Sequence, residues 1–413
     1  LQKKSENEGW ERQINGLSNN EKANLLLEKH TFKELLADVE QRNLQNNIVG
    51  LEASRLFARS EINMGVDAFR DSLYAMLKRN TFLNIKFENM LDTLGEMSRT
   101  DLYSYLKEWE QLTPLPFYSI GEPELTKVVN KGGEEFFVLK VLVSNNSDYD
   151  GIIQMNVLQN GWWYQPMEDP RARKKVEIAA HTSKEFVSVW EEQIRDVEIN
   201  TMVSGNLPYM IRQSIGNVKQ ERNKIVKDTI YTLPESSLEM PGEVIVDNED
   251  STLFVLSTPA VVGLLPKWLD KVEDTSFKYS GISWWRAPLQ WTATTNAKYY
   301  GKYIRSAYVI KSGDGSQTAT WKIPVPEAGQ YELYYHVFKD DELRWNDRLQ
   351  GEYHFRVAYD SEMEDAYINL RKANEGWEQL GTYYFSADTV RVVLTDECKL
   401  RSVTADAVKI VKR

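Results

Sequence analysis

The clearest pattern of polar and apolar positions lies in the C-terminal third of the chain. Residues 326–329 read Pro-Glu-Ala-Gly and predict a turn, because proline fixes φ and glycine tolerates positive φ. After this turn, apolar and polar side chains alternate with a period of two, as in a half-buried strand. The positions predicted to face a core are Tyr331, Leu333, Tyr335 and Val337, with Glu332 and His336 on the opposite face. Val390, Val392 and Leu394 alternate in the same way, and the pattern predicts a β-sandwich.

Residues 1–118 are predicted to form a helical domain, because their apolar residues recur at helical spacing. Ser98 and Asp101 form a capping-box pattern that predicts the start of a third helix, which the prolines at 114 and 116 end. The three stripes are Val66, Phe69, Leu73, Met76 and Leu77; Phe87, Met90, Leu91 and Leu94; and Leu102, Tyr105, Leu106 and Trp109.

From residue 119 the period changes to two, and residues 119–208 predict a small antiparallel sandwich. The mixed, charged stretch 209–243 is interpreted as a helical connector, and residues 244–413 as the last domain. The predicted fold class is α+β and multidomain: an N-terminal helical domain, a small antiparallel β-sandwich and a jelly-roll-like C-terminal β-sandwich.

Composition and charge narrow the classes of function. The formal charge of −11 argues against nucleic acid as a partner, because phosphates would be repelled. The only cysteine, Cys398, excludes an internal disulfide. No apolar stretch is long enough to span a membrane. The start, Leu1 followed by Gln-Lys-Lys, indicates a processed product or an excised piece of a longer protein.

Several motifs of the last domain occur in a fixed order. They are VIVDNED at 244–250, the run from YYGKY to YYHV at 299–337, GWEQLGTYYF at 376–385 and ADAVKIV at 405–411. In these segments the chain resembles the golvesin-type C-terminal domain, a carbohydrate-binding-like domain of bacterial envelope and polymer-degrading proteins. The resemblance implies a β-sandwich that binds glycan or another envelope polymer. The stretch between Asp250 and Tyr299 departs from the family pattern.

Residues 46–208 are similar to the region downstream of the active site in aminopeptidase-N-like zinc peptidases. The similarity is carried by NIVGLEASRLFARSEINMGVDAFRDSLYAML, DLYSYLKEWEQLTPLPFY and the following strands. Such peptidases need H-E-x-x-H, in which two histidines bind zinc and the glutamate activates water. No such pair occurs among His30, His181, His336 and His354. If Gly50 is the family's helix-starting glycine, Asn47 stands where the family has its transition-state tyrosine.

Other candidate sites favour an ordinary structural interpretation. His336 and His354 have no third ligand at a matching spacing, so both are expected on polar strand faces. The acidic runs 247–250 and 360–365 lack the calcium-loop pattern and are expected to be solvated turns. The sequence therefore predicts no metal site and no cofactor in this chain.

Exposed aromatic rings are the remaining candidates for a ligand site, because sugars stack on flat apolar surfaces beside polar groups. Trp321 and Trp377 lie in strand motifs and are predicted core residues. The predicted ligand-binding residues, in the departure from the family pattern and in a loop, are Trp284, Trp285, Arg286, Trp291 and Trp345. For each tryptophan, plain packing remains the alternative.

Together these features predict a non-catalytic binding or accessory region of a bacterial cell-envelope protein, located in the periplasm, at the cell surface or outside the cell. Its partner would be a polysaccharide or envelope polymer. Two alternatives stay open. The chain is the C-terminal half of an active zinc peptidase, in which zinc and the catalytic domain lie upstream, or it is a scaffold for protein partners.

Overall fold

The computed structural model describes residues 11–12, 14–81, 83–158, 169–222, 226–236, 238, 242–257, 277–282, 287–339, 351–360 and 362–413. The chain forms two compact units, Asn19–Leu238 and a second that joins Leu1–Ser18 to Glu239–Arg413. The boundaries predicted at 118, 208 and 243 remain a prediction. No described helix is both long enough and apolar enough to cross a bilayer.

Helices occupy the beginning of the first unit, as the apolar stripes predict. They are α1 (Asn19–Leu27), α2 (Phe32–Ala37), α3 (Gln45–Met64), α4 (Val66–Arg79), α5 (Phe87–Ser98) and α6 (Leu102–Leu106), followed by a 3-10 turn at Lys107–Glu110. Leu91, Leu94 and Leu102 are at most 1% exposed and form one core with Leu56 and Phe69.

The predicted capping box at Ser98 is wrong in one respect. Ser98 is the last residue of α5, and its hydroxyl donates to the carbonyl of Leu94 at 2.6 Å. Asp101 caps α6 instead, since its carboxylate accepts the backbone N–H groups of Tyr103 and Ser104. An aspartate satisfies these orphan donors without a serine three residues earlier.

Two mainly antiparallel sheets follow the helices and pack into the predicted small sandwich. The first has six strands, β1 (Tyr118–Ile120), β2 (Glu124–Val129), β3 (Glu135–Asn145), β6 (Thr182–Trp190), β9 (Val218–Arg222) and β10 (Thr229–Pro234). The second has four, β4 (Gly151–Leu158), β5 (Arg173–Ile178), β7 (Asp196–Asn200) and β8 (Met210–Ser214). Trp190, which is 2% exposed, lies in their common core.

The prediction of a helical connector over 209–243 is wrong. This stretch contributes β8, β9 and β10, and β9 pairs in parallel with β2 while β10 pairs with β6. The charged side chains of β9 are exposed because β9 lies at the edge of its sheet. Charged edge strands are common, since they discourage pairing with other chains.

The described part of the second unit forms three sheets. One consists of β11 (Glu243–Val246), β22 (Val408–Lys412), β16 (Gly329–Val337) and β19 (Gly376–Phe385), in that order. The next consists of β12 (Phe254–Leu256), β15 (Thr318–Pro324), β20 (Thr389–Thr395), β17 (Glu352–Tyr359) and β18 (Glu362–Asn369). The third is β13 (Thr292–Thr295), β14 (Ser306–Lys311) and β21 (Ser402–Ala405).

The predicted turn at 326–329 connects β15 to β16, which lie in different sheets. Alternate residues of both strands therefore point into one shared core, in which Trp321, Leu333, Tyr335 and Phe355 are all 0% exposed. The predicted fold class, an N-terminal helical region followed by β-sandwich domains, is confirmed.

The segment before Ser18 packs on the second unit through two glycines. The carbonyl of Gly16 accepts a hydrogen bond from the Thr295 hydroxyl at 3.0 Å. Gly16 has φ +79, and a Cβ there would lie 2.2 Å from the carbonyl carbon of Ser280. A Cβ at Gly281 would lie 2.1 Å from the carbonyl oxygen of Ile14. Only glycine allows this approach.

Candidate functional site

The outer surface of the sheet β11-β22-β16-β19 carries a cluster of aromatic and charged side chains, here called the aromatic face. The alternation along β16 creates it: Tyr331, Leu333, Tyr335 and Val337 are at most 2% exposed, so the residues between them point outward. The sequence predicted this division of β16 correctly. The aromatic face consists of Tyr300, Tyr334, His336, Trp377 and Lys409.

Three rings of the aromatic face contact one another. Strand register places His336 directly opposite Trp377, and their ring centroids are 5.1 Å apart at an interplanar angle of 78°. The ring of Tyr300 lies 5.0 Å from that of Trp377. All three side chains are half-buried. Edge-to-face contacts of this kind stabilise ring pairs and hold each ring in one orientation.

Lys409 joins this group to a fourth ring. It lies opposite Tyr334 in the register of β16 and β22. Its ammonium is 4.9 Å from the ring centre of Trp377 and 5.4 Å from that of Tyr334, within the range of a cation–π contact. The same ammonium contacts the Glu243 carboxylate at 2.7 Å. A cation and an anion are thus fixed beside two aromatic rings.

Asp406, which is 0% exposed, anchors the aromatic face from below. One of its carboxylate oxygens is 2.9 Å from Nδ1 of His336, and both accept the backbone N–H of Tyr300 at 3.2 Å. Burial raises the pKa of Asp406, and the neighbouring imidazole opposes that rise. The flanking residues Ala405 and Ala407 are also 0% exposed, which explains the small residues of the ADAVKIV motif.

The surroundings of His336 show which polar groups the aromatic face contains. Within the described part of the chain, His336 hydrogen-bonds to no serine or cysteine, so its pairing with Asp406 does not extend to a nucleophile. Among the described residues, no group of three or more His, Cys, Asp or Glu side chains is placed to hold a metal ion. The rings and the Lys409–Glu243 pair instead offer stacking surface next to hydrogen-bonding groups.

Most of the predicted ligand-binding residues, Trp284, Trp285, Arg286 and Trp345, lie outside the described residues. Trp291 is half-buried and packs against the core of the C-terminal sandwich. The predicted core position of Trp321 is confirmed at 0% exposure, whereas Trp377 is half-buried on the outer surface.

The other candidates from the sequence have protein partners. His336 and His354 lie in different sheets, and His354 contacts Asp365 through Nε2 at 2.7 Å. In the run 247–250, Asp250 accepts the backbone N–H groups of Thr252 and Leu253. These acids therefore support turns and strands.

The helical region of the first unit has an open apolar cavity of about 500 Å³. Trp109 lies at its centre, with Phe32 at 4.7 Å and Phe87 at 6.1 Å between ring centroids. Lys33, Lys107 and Glu110 form its polar margin. On α3, Asn47 donates to the side chain of Asn20 at 2.8 Å.

The aromatic face lies within a part of the chain that matches a known family. Residues 285–412 match the family model of the golvesin C-terminal domain. None of the curated proteins compared with the chain matches it. The similarity of residues 46–208 to zinc peptidases remains a prediction.

Several solved structures are distantly similar to the chain. Xanthan lyase from Paenibacillus is 16% identical with a TM-score of 0.29, over 73% of this chain and 27% of the lyase. The CBM35 of Abf62 from Cellvibrio japonicus is 12% identical with a TM-score of 0.21, over 32% of this chain and 90% of that module. A calcium-binding mutant of Bacteroides uniformis β-glucuronidase 2 is 11% identical with a TM-score of 0.20, over 77% and 33% of the two chains. Likenesses this weak carry no argument about function. The predicted golvesin-type domain is confirmed, on the family match, for residues 285–412.

Proposed function

We propose that this chain is a non-catalytic binding region whose C-terminal sandwich holds a glycan or another envelope polymer on the aromatic face. The observation that carries the proposal is the fixed group of Trp377, Tyr334 and Lys409, in which two half-buried rings flank an ammonium. A sugar ring presents C–H groups on its faces and hydroxyls around its edge. Such a ring can stack on an indole and exchange hydrogen bonds with a nearby cation and anion.

The geometry explains why the site is preorganised. Trp377 is held by the rings of Tyr300 and His336, and His336 is in turn held by the buried Asp406. Binding then costs little side-chain entropy, because the ring is already fixed before the ligand arrives. Lys409 is fixed in the same way by Glu243.

The remaining parts of the proposal rest on the golvesin-type domain. The location is the bacterial envelope, that is, the periplasm, the cell surface or the exterior. The chain needs no cofactor, and any zinc would belong to a longer parent protein. The first unit acts as an accessory domain.

Affinity electrophoresis of the full chain in gels containing neutral polysaccharides, together with pull-down on purified peptidoglycan, tests the proposal. We expect retardation or retention on at least one polymer, and Trp377→Ala to weaken it about 30-fold, which corresponds to about 2 kcal/mol for a central aromatic contact. Trp377→Phe keeps a ring and should recover part of the affinity. Tyr231→Ala, which removes a 50% exposed ring from the first unit, is the matched control.

Binding to none of the polymers, or equal binding by wild type and Trp377→Ala, would contradict the proposal. The open cavity around Trp109 favours a second candidate function, a scaffold for a protein partner. In that case Trp109→Ala, and not Trp377→Ala, abolishes capture of the partner.

A further inference from the structure

The sheet β12-β15-β20-β17-β18 has an outer surface with a different chemistry, which we call the cationic face. Three basic residues, Lys322, Arg356 and Arg391, lie on adjacent strands of this sheet. Their neighbours in the chain, Ile323, Val357 and Val392, are 0% exposed in the core, so the basic side chains point away from it.

The placement of these cations is unfavourable for the isolated domain. Lys322 and Arg391 lie directly opposite one another in the register of β15 and β20. Like charges in that position repel and destabilise the strand pair. Within the described residues, neither Lys322 nor Arg391 forms an ion pair with an acidic side chain.

Within the described residues, Arg356 forms no ion pair with the acidic residue that lies opposite it. Asp365 lies opposite it in the register of β17 and β18, but the Asp365 carboxylate is held by His354 Nε2 at 2.7 Å. Nε of Arg356 is shielded from solvent and makes no hydrogen bond within the described part of the chain. A buried donor without an acceptor is costly, so an anion that reaches this guanidinium would relieve that cost.

An aromatic ring borders the cationic face. Tyr367 is 58% exposed, and one side of its ring stacks on His354 with centroids 4.9 Å apart and an interplanar angle of 9°. The other side of the ring remains for a ligand. The side chains that point outward between the ring and the cations are short: they are Thr320, Ala358 and Val393.

We propose that the cationic face binds an acidic polysaccharide, whose carboxylates pair with Arg356, Arg391 and Lys322 while one sugar stacks on Tyr367. Arginine suits this role because its planar fork can bind a carboxylate with two parallel hydrogen bonds. A polysaccharide explains both the cations and the open ring. A nucleic acid would need a larger basic surface than these three cations provide.

The cationic face lies on a different sheet from the aromatic face. A result that contradicts binding at the cationic face therefore does not contradict the proposed function. The probe is polygalacturonate, and fully methyl-esterified polygalacturonate is the matched polymer without charge. We expect the full chain to bind the acid form at least tenfold more tightly than the ester. Binding of the acid form should weaken steeply between about 50 and 500 mM NaCl, as solvent-exposed ion pairs are screened.

The double variant Lys322→Gln/Arg391→Gln should bind polygalacturonate at least tenfold more weakly. Its melting temperature should stay equal to that of wild type or rise, because the opposed charges are removed. Lys298→Gln/Lys311→Gln removes two cations elsewhere in the same unit and should leave binding unchanged. A purely structural role for the cations predicts a lower melting temperature instead.

Three results would overturn the inference: equal binding of the acid and the ester, full binding by the Lys322→Gln/Arg391→Gln variant, or an equal loss in the Lys298→Gln/Lys311→Gln control. Tighter binding of a single-stranded DNA oligonucleotide than of polygalacturonate would also overturn it.

Discussion

Replacing Gly16 by alanine tests the packing of the N-terminal segment on the C-terminal unit. Gly16 has φ +79, where an L-residue costs about 1–2 kcal/mol. Its Cβ would also lie 2.2 Å from a backbone carbon of Ser280, which cannot move away as a side chain would. Forcing such an overlap costs about 1–3 kcal/mol more. The expected total loss is therefore about 2–5 kcal/mol.

Gly242 provides a matched control in the same unit. It has φ +86, but nothing lies within 4 Å of the position its Cβ would take. Gly242→Ala should therefore lose only the conformational part, about 1–2 kcal/mol. The difference between the two variants isolates the contact between Gly16 and Ser280. Gly281→Ala forces an overlap with the carbonyl oxygen of Ile14 but carries no positive φ, so it should lose only the overlap part, about 1–3 kcal/mol.

Urea denaturation followed by tryptophan fluorescence measures the loss in each variant. Hydrogen exchange then locates it, since release of the segment should expose β13, where the Thr295 hydroxyl bonds to Gly16. The double variant Gly16→Ala/Gly281→Ala should lose less free energy of unfolding than the sum of the two single losses, because both substitutions loosen the packing of the same segment. Equal stability of Gly16→Ala and Gly242→Ala, within about 0.5 kcal/mol, would refute the reasoning.

Two further predictions concern the C-terminal sandwich. Burial and the neighbouring charge of Asp406 raise the pKa of Asp247. The protonated Asp247 carboxyl therefore contributes its full stability below its unfolded pKa of about 3.9. This stability is lost as the pH rises through the pKa of the folded state. Urea midpoints of Asp247→Asn should then fall less than those of wild type between about pH 4 and 7; parallel curves would contradict this assignment. Leu333→Ala should cost about 2–5 kcal/mol because Leu333 is 0% exposed in the shared core, whereas the exposed Gln330→Ala on the same strand should stay within about 0.5 kcal/mol. Equal effects of the Leu333 and Gln330 variants in urea denaturation would argue against this core.

Local patterns in the sequence predicted what depends on local geometry. The alternation around Leu333 gave the buried and exposed sides of β16 correctly, because side chains of a strand alternate whatever its partner is. The helical stripes gave α4 and α5 for the same kind of reason. The charged run that forms β9 was misread, since its strand character comes from pairing with β2, nearly a hundred residues earlier.

The candidate site was harder to predict because its residues are brought together by register. Tyr300, His336, Trp377 and Lys409 come from four separate segments, and no spacing in the sequence connects them. Trp377 is the second residue of the GWEQLGTYYF motif, and the prediction that it is a core residue was wrong because its side chain is half-buried on the outer surface. The packing of Ile14 and Gly16 against Ser280, Gly281 and Thr295 likewise depends on long-range contacts.

The central claim is that this chain holds a polymer and leaves it intact. The full chain is mixed with a polysaccharide that retards it in gels, and the mixture is analysed by size-exclusion chromatography with light scattering. This experiment measures both the binding of the polymer and the mass of the polymer. The account predicts that protein and polymer elute together, that the polymer mass is unchanged after prolonged incubation, and that Trp377→Ala elutes apart from a neutral polymer. Shortening of the polymer by the purified chain, or separate elution of the wild-type protein, would contradict it.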